Sequence, residues 1–425
     1  MDYFYFFFHL ALNILCNKGI GAFITTNYYV TALGGYKLRK DLHERASLSI
    51  MLNFNELKIF KSALGQHNMI ALFRKNNSDK EKCKLMNVHS KGVLKANLFR
   101  DIILGIHKET KYSLVSQAEL FEGKELYIRL SKETSESLLT KVLQKISLEN
   151  DILGNICHVN VGLRSGLDRI KNKHLEKFPD MEINQGVFVI DNRVDVDGET
   201  IVKSFYKNSD IHKYYTSDET NLNVIYSTNT TKIENYPKVY QHLLQYKDVI
   251  EEYRWAEGVK WYALVRPRKS EMFCSEKIVA PQRSKINTFG YNCGEWYASS
   301  DVYYITAKNK DYPLKYILGL LNSKLYYLWL YNKGKRKGET LELYQKPLSE
   351  IPVKKPHINE CLRISQVVNN IIIEKKENPQ ADTTSLENQI DFLVYHLYGL
   401  TYDEVLIVDP NPPFTREEYE AYKGE

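Results

Sequence analysis

Apolar positions in the first ninety residues come in short dense runs separated by polar turns. Tyr3–Cys16 is apolar nearly all the way round, which predicts a buried helix ended by Asn17–Gly19. Gly21–Thr25 reads as a short buried strand, Thr26–Gly35 as a loop at its carboxyl end, and Tyr36–Arg45 as an amphipathic helix. Leu48–Phe54 and His67–Phe73 are two apolar runs around a polar, glycine-containing turn, which predicts two strands. Phe60 lies on that turn among Lys, Ser, Gln and Asn. An aromatic so placed either stacks on something flat or caps a core beneath the loop. Helix, strand, loop, helix and strand in succession is α/β grammar. In open α/β sheets ligands sit at the carboxyl ends of strands, so the 26–35 loop and the Phe60 loop are the places to look.

Beyond a polar turn at Lys75–Lys82, Cys83–Val88 and Glu125–Leu130 are expected as strands. Ser131–Ser147 reads as a polar helix opened by an N-cap, the link between two domains. At Leu153 a strand, a glycine-rich turn and an amphipathic exit begin a second domain. Its later landmarks are a strand at 186–190, a basic and aromatic loop at 204–215, a helix at 236–243 and a long apolar helix within 314–338. His357–Lys376 and Ser385–Tyr398 are two further helices, the last ended by Gly399. The expected divisions are 1–130, a linker helix at 131–152, 153–355, and a helical segment at 356–425.

Charge adds a partner to this layout. The 425-residue chain carries +6 overall, but residues 203–350 hold 23 Lys/Arg against 16 Asp/Glu, whereas 371–425 hold 4 against 12. A basic middle and an acidic tail suggest a polyanion partner for the middle alone. The 31 tyrosines suit stacking on bases, and equally suit a tyrosine-rich β core. The six cysteines form no Cys-x-x-Cys pair, which argues against a zinc site, and their scatter fits a reducing cytoplasm. The apolar N-terminus is interrupted by Asp2, His9 and Asn13 and is too short to span a bilayer. No Asp…Glu-x-Lys cluster suggests a metal-dependent nuclease.

The text FFFHLALNILCNKGIGAFITTNYY, then YKLRKDL, then FNELKIF, resembles the second half of the catalytic domain of adenine-N6 DNA methyltransferases of the TaqI type. LGNICHVNVGLRSGLDRI and the stretches WYALVRPRK, KIVAPQRSKINTF, WYASSDVYYIT and LYQKPLSEIPV resemble the TaqI-like C-terminal specificity domain of that restriction–modification family. The resemblance implies an α/β fold class. An incomplete Rossmann-like methyltransferase half-domain would precede a mixed α+β target-recognition domain and C-terminal helices. It implies that Phe60 stacks on the adenine flipped out of the duplex. It also implies that Phe7 lines the adenine pocket of S-adenosylmethionine, where a plain core phenylalanine is the other reading. Thr26 stands where the family often has proline.

In the second domain, Arg forks read guanine edges and Gln reads adenine. The candidates on expected loops are Arg164, Arg254, Arg266, Arg268, Gln282, Arg283 and Lys285. Lys333, Lys335, Arg336 and Lys337 form a glycine-bounded basic loop suited to phosphates, which position a protein rather than specify sequence. A solvated surface charge is the alternative for each of these residues taken singly.

The family's glycine-rich cofactor loop and its Asn-Pro-Pro-Tyr/Phe turn are not found where the family places them, ahead of Met1. Asn411–Phe414 reads NPPF, but so close to the end of the sequence it is expected to be a proline-rich turn. The expected function is therefore sequence-specific recognition of duplex DNA, as part of a site-specific adenine methyltransferase whose cofactor half lies elsewhere. The chain alone is expected to be inactive and not to hold S-adenosylmethionine. Its partners would be duplex DNA and a separate polypeptide carrying the N-terminal half. The alternatives are a non-catalytic DNA-binding specificity protein and an RNA-binding protein.

Overall fold

The computed structural model describes residues 3–60, 67–76, 81–123, 125–130, 138–147, 150–191, 194, 196, 199–254, 256–355 and 357–422. The chain divides into two compact units, 1–137 with 337–339, and 138–336 with 340–425.

The first unit is built on a five-stranded sheet. Its order is Ile20–Thr26, Asn68–Arg74, Ser47–Asn53, Lys82–Val88 and Thr110–Ser116. Asn68–Arg74 is antiparallel to both its neighbours, and Ser47–Asn53 runs parallel to Lys82–Val88. Strands 20–26, 47–53 and 82–88 thus share one direction, and their carboxyl ends lie on one side. The two strands expected around the Phe60 turn do pair, Leu52 opposite Ile70 and Asn53 opposite Met69. The expected strand at Glu125–Leu130 shrinks to Tyr127–Ile128, and the Ala96–Leu104 helix and the Thr110–Ser116 strand were not foreseen.

The first helix, Phe4–Ile14, corrects the expectation of burial all round. It buries Tyr5, Phe8 and Leu12 against the sheet and leaves Phe6, Phe7, Leu10 and Ile14 exposed. Phe8 is the hinge of that packing, 4.8 Å from the Phe23 ring and 5.3 Å from the Tyr29 ring. The Tyr36–Arg45 helix buries Leu38, Leu42 and, against its amphipathic pattern, Arg39. The Arg39 guanidinium donates to the carbonyls of Tyr29 at 2.7 Å, Ala32 at 2.6 Å and Glu125 at 3.0 Å. A buried charge is tolerable only with such hydrogen bonds, and here they pin the loop at the carboxyl end of strand 20–26. Gly35 is part of the same arrangement. A Cβ there would lie 2.8 Å from both the Arg39 guanidinium and the Tyr29 carbonyl oxygen.

Among its described residues the second unit has two four-stranded sheets. One is antiparallel, ordered Cys157–Val161, Val302–Ala307, Lys277–Pro281, Gly290–Asn292. The other is ordered Val189–Asp191, Leu222–Ile225, Val202–Tyr206, Tyr297–Ala298, the last pair parallel. Part of the basic and aromatic stretch 204–215 is therefore strand rather than loop. The apolar run 314–338 gives two helices, Leu314–Asn322 and Lys324–Asn332, broken at Ser323, whose side chain accepts from the Tyr326 amide. The helix expected as a linker is described from Leu138 to Ser147; its predicted N-cap lies outside the described residues. It does not stand apart, because Val142, Leu143 and Ile146 enter the core that also holds Leu318, Leu325, Val368 and Tyr395. The C-terminal helices Ile358–Glu377 and Thr384–Leu397 share that core, so they belong to the unit. The NPPF stretch is a turn between the helices Tyr402–Val408 and Arg416–Ala421, with Phe414 packed edge-on against Phe392 at 5.0 Å.

Candidate nucleic-acid interface

In the first unit, four asparagines gather where the strands end. Asn27 Nδ2 donates to Asn53 Oδ1 at 3.0 Å, and Asn53 Nδ2 donates to Asn55 Oδ1 at 2.8 Å and Asn87 Oδ1 at 3.0 Å. Asn55 Nδ2 donates in turn to Asn87 Oδ1 at 3.0 Å and to the Val88 carbonyl at 2.7 Å. Asn55 sits at φ 47°, a left-handed conformation that asparagine tolerates better than most residues. The network fixes the start of the Phe60 loop. Phe54 and Leu57 then anchor it in a small core, and Leu57–Lys58 pairs in parallel with Gly92–Val93. Phe60 follows at 45% exposure, while Phe54 and Leu57 are at 0% and 1%. The loop thus turns its inner apolar residues inward and leaves this ring to solvent. Residues 61–66 lie outside the described residues.

Phe7 is 58% exposed. Its neighbours on the outer face of the same helix are Phe6, Leu10 and Ile14, also exposed. Tyr3, at the N-cap of the helix, and Asn13 are exposed as well.

In the second unit the predicted arginines fall into two groups. Arg164, Arg266 and Arg268 come together. Arg164 and Arg266 exchange two backbone hydrogen bonds of 2.9 Å in an antiparallel bridge. Arg268 Nε donates to the Gly162 carbonyl at 3.3 Å, and its backbone is held left-handed at φ 64°. Burial lowers the Arg268 pKa from its ordinary value, and the charges of Arg266 and Arg164 lower it further. Three like charges held close by backbone pairing form a surface that favours an anion.

The second group surrounds Glu342. Lys333 caps the Lys324–Asn332 helix. Beyond it, Thr340–Glu342 pairs with Arg283–Ser284, Glu342 opposite Arg283. The Glu342 carboxylate meets Lys335 at 3.1 Å and Arg283 at 3.5 Å. Arg283 also donates to the Tyr344 hydroxyl at 3.0 Å, and Lys335 lies 4.7 Å from the Tyr344 ring. The Arg336 guanidinium stacks 3.8 Å over Tyr331. Glu342 thus partly neutralises Lys335 and Arg283. Lys285, just past Ser284, is exposed.

Arg254 departs from its expected role. Its guanidinium donates to the carbonyls of Val259, at 3.3 Å, Lys260 and Ala263, and burial lowers its pKa. It closes its own loop. Gln282 likewise uses its backbone to join Asp301 and Leu343. Sequence reasoning passed over Asn53, Asn55 and Asn87. Asn53 and Asn55 had one signal, the alternating Asn-Phe-Asn around buried Phe54, and Asn87 had none.

The model of the TaqI-like C-terminal specificity domain matches residues 203–353, and that of the Eco57I restriction-modification methylase matches residues 1–60. Residues 203–353 are thus similar to the TaqI-like C-terminal specificity domain, and the chain is similar to DNA methyltransferases of restriction–modification systems. Over 368 residues it is 24% identical to the type II methyltransferase M.HindII of Haemophilus influenzae, covering 83% of this chain and 67% of that protein. Over 260 residues it is 27% identical to the type II methyltransferase M.MjaIV of Methanocaldococcus jannaschii, covering 57% and 79%. In fold it is similar to the type IIL restriction-modification enzyme MmeI, solved in complex with DNA, with a TM-score of 0.55 and 12% identity. That likeness covers 98% of this chain and 51% of the MmeI chain, so the chain spans about half of that enzyme's length. No helix among the described residues is long and apolar enough to cross a membrane, and no group of three or more His, Cys, Asp or Glu among them could hold a metal ion.

Proposed function

We propose that the chain recognises duplex DNA as the target-reading part of a site-specific adenine-N6 methyltransferase of a restriction–modification system. The observation that carries this is the trio Arg164, Arg266 and Arg268, positioned by backbone pairing in the unit that contains the specificity domain. Arginine forks carried on backbone so positioned are suited to bidentate contacts with guanine edges or phosphates. In the complete enzyme Phe60 stacks on the displaced adenine, and S-adenosylmethionine supplies the methyl group. Phe7 offers that cofactor a ring face. Around these, the chain's own residues bind the duplex, hold its register and receive the base. A polypeptide or segment carrying the glycine-rich cofactor loop completes the catalytic centre.

The test is selection of binding sites from a pool of randomised duplexes by the purified chain. Enrichment of one short motif, lost when Arg164 and Arg266 are both changed to Gln, is the expected result. Recovery of the pool without any motif would overturn target reading.

A further inference from the structure

Beside the arginine trio lies a cleft that the sequence reading did not anticipate. Its volume is about 340 Å³, and Arg164, Arg169, Lys171 and Lys173 line it against one carboxylate, Asp168. Most of its lining lies on residues 163–174, ahead of the stretch matched by the specificity-domain model, and Tyr253, Ser299 and Ser300 from within that stretch complete it. We infer that this cleft is a docking site for a backbone phosphodiester of duplex DNA, flanking the bases read by the arginines. The inference rests on the proposed function and adds the class of group this cleft takes.

The loop that forms the cleft is rigid. Leu163 donates to the Ala298 carbonyl at 3.1 Å, Val265 to the Ser165 carbonyl at 3.2 Å and Ile170 to the Gln185 carbonyl at 2.9 Å. Gly166 turns the chain at φ 96°, and a Cβ there would come within 2.6 Å of the Val265 side chain. Holding the cations in place before the ligand arrives lowers the entropic cost of binding. The single carboxylate is engaged, since the Ser165 hydroxyl donates to it. The net field in the cleft is positive, and buried His174 registers it. Its pKa is lowered by burial first, and further by Lys173 and Lys171. His174 Nδ1 accepts the Lys171 backbone N–H at 3.0 Å, which fits a neutral ring.

The lining also argues for phosphate over base. Tyr253 is the ring in the cleft, but Lys173 lies 5.5 Å from its centre and His174 meets it edge-on at 4.6 Å. Its hydroxyl is committed to the Lys173 carbonyl at 2.8 Å. Lys173 and His174 thus already crowd the ring against a stacked base. Two exposed lysines are mobile point charges, which suit phosphates rather than a donor–acceptor code. Arg169 spends one N–H on the Asn184 carbonyl at 3.0 Å and has others to offer.

The experiment compares the wild-type chain with the triple variant Arg169→Gln, Lys171→Gln, Lys173→Gln. Binding to a mixed-sequence duplex is followed by fluorescence anisotropy across a salt series. Losing that one phosphate contact should lower the log–log salt slope by about 0.9, so the triple variant should lose about one unit of slope and about tenfold or more in affinity at low salt. Lys171→Arg with Lys173→Arg should keep the wild-type slope, and near-ultraviolet dichroism should be the same for all three. A wild-type slope in the folded triple variant overturns the site. Equal wild-type affinity for single-stranded RNA, lost in parallel by the triple variant, overturns the duplex assignment. A wild-type chain that binds no duplex at any salt overturns the proposed function and the site with it, whereas wild-type binding with an unchanged variant overturns the site alone.

Discussion

The side-chain amide of Asn53 donates to Oδ1 of Asn87 at 3.0 Å, joining the ends of two parallel strands immediately before the loop that carries Phe60. Asn87 Oδ1 also accepts from Asn55, so one acceptor holds both asparagines that bracket buried Phe54. Asn87→Ala should therefore leave two amide donors short of a partner, one of them on a residue 3% exposed. The expected loss is about 1–3 kcal/mol of stability. Asn87→Asp keeps the acceptor and should retain most of it. Urea unfolding of the two variants beside wild type checks the difference; equal losses would mean that the shared acceptor is not what matters.

Phe60 and Phe54 should respond in opposite ways. Phe54→Ala empties a fully buried site and should cost about 3–5 kcal/mol. Phe60 is 45% exposed, so Phe60→Ala should leave the melting temperature within a few degrees of wild type. In the complete enzyme it should nonetheless lower methylation, because a stacked base recovers about 1–3 kcal/mol on an aromatic face. Phe60→Trp and Phe60→Tyr should be tolerated. A large fall in melting temperature for Phe60→Ala would assign the ring to the core.

The Glu342 cluster predicts an uneven salt response. Lys333→Gln, Lys335→Gln, Arg336→Gln and Lys337→Gln together should weaken binding to all duplex sequences alike and flatten the salt slope. Lys335 already shares Glu342 with Arg283, so Lys335→Gln alone should change the slope least. Glu342→Gln should strengthen non-specific binding by releasing both cations. A binding series over salt for these variants tests the order.

Asp391 makes stability depend on pH. It is buried on the Thr384–Leu397 helix, where its Oδ1 accepts the Lys324 backbone N–H at 2.8 Å. Burial pushes its carboxyl up to about 6 from an ordinary 3.8. The folded state therefore holds the proton more tightly than the unfolded one. Its contribution is most favourable below the ordinary value and is lost as pH rises through about 6. Relative to Asp391→Asn, the wild-type chain should lose stability between pH 4 and pH 6. Denaturant midpoints at a series of pH values read the difference, and parallel curves would remove Asp391 as its source.

Local pattern was enough for several elements of the first unit, though not for the Ala96–Leu104 helix or the Thr110–Ser116 strand. Period and turn chemistry placed the Tyr36–Arg45 helix residue for residue, and the two strands around Phe60 within a residue of their ends. The motif text around residues 1–60 and 203–353 pointed to the family, because side chains at a fixed spacing survive without knowledge of their partners. What the sequence could not decide was which side of an apolar helix meets the sheet. Phe7 and Phe8 are alike in composition, and only packing against Phe23 and Tyr29 buried one and exposed the other. Nor could charge pattern sort the arginines. Arg39 lay on an amphipathic helix and Arg254 among the candidates for reading bases, yet backbone carbonyls engage both inside the fold. Arg164 and Arg266 lie a hundred residues apart in the chain and meet only through a backbone bridge. Secondary structure follows from neighbours in sequence. Burial, pairing and the clustering of charge are set by residues that the chain brings together from far away, and the tertiary structure alone decided them.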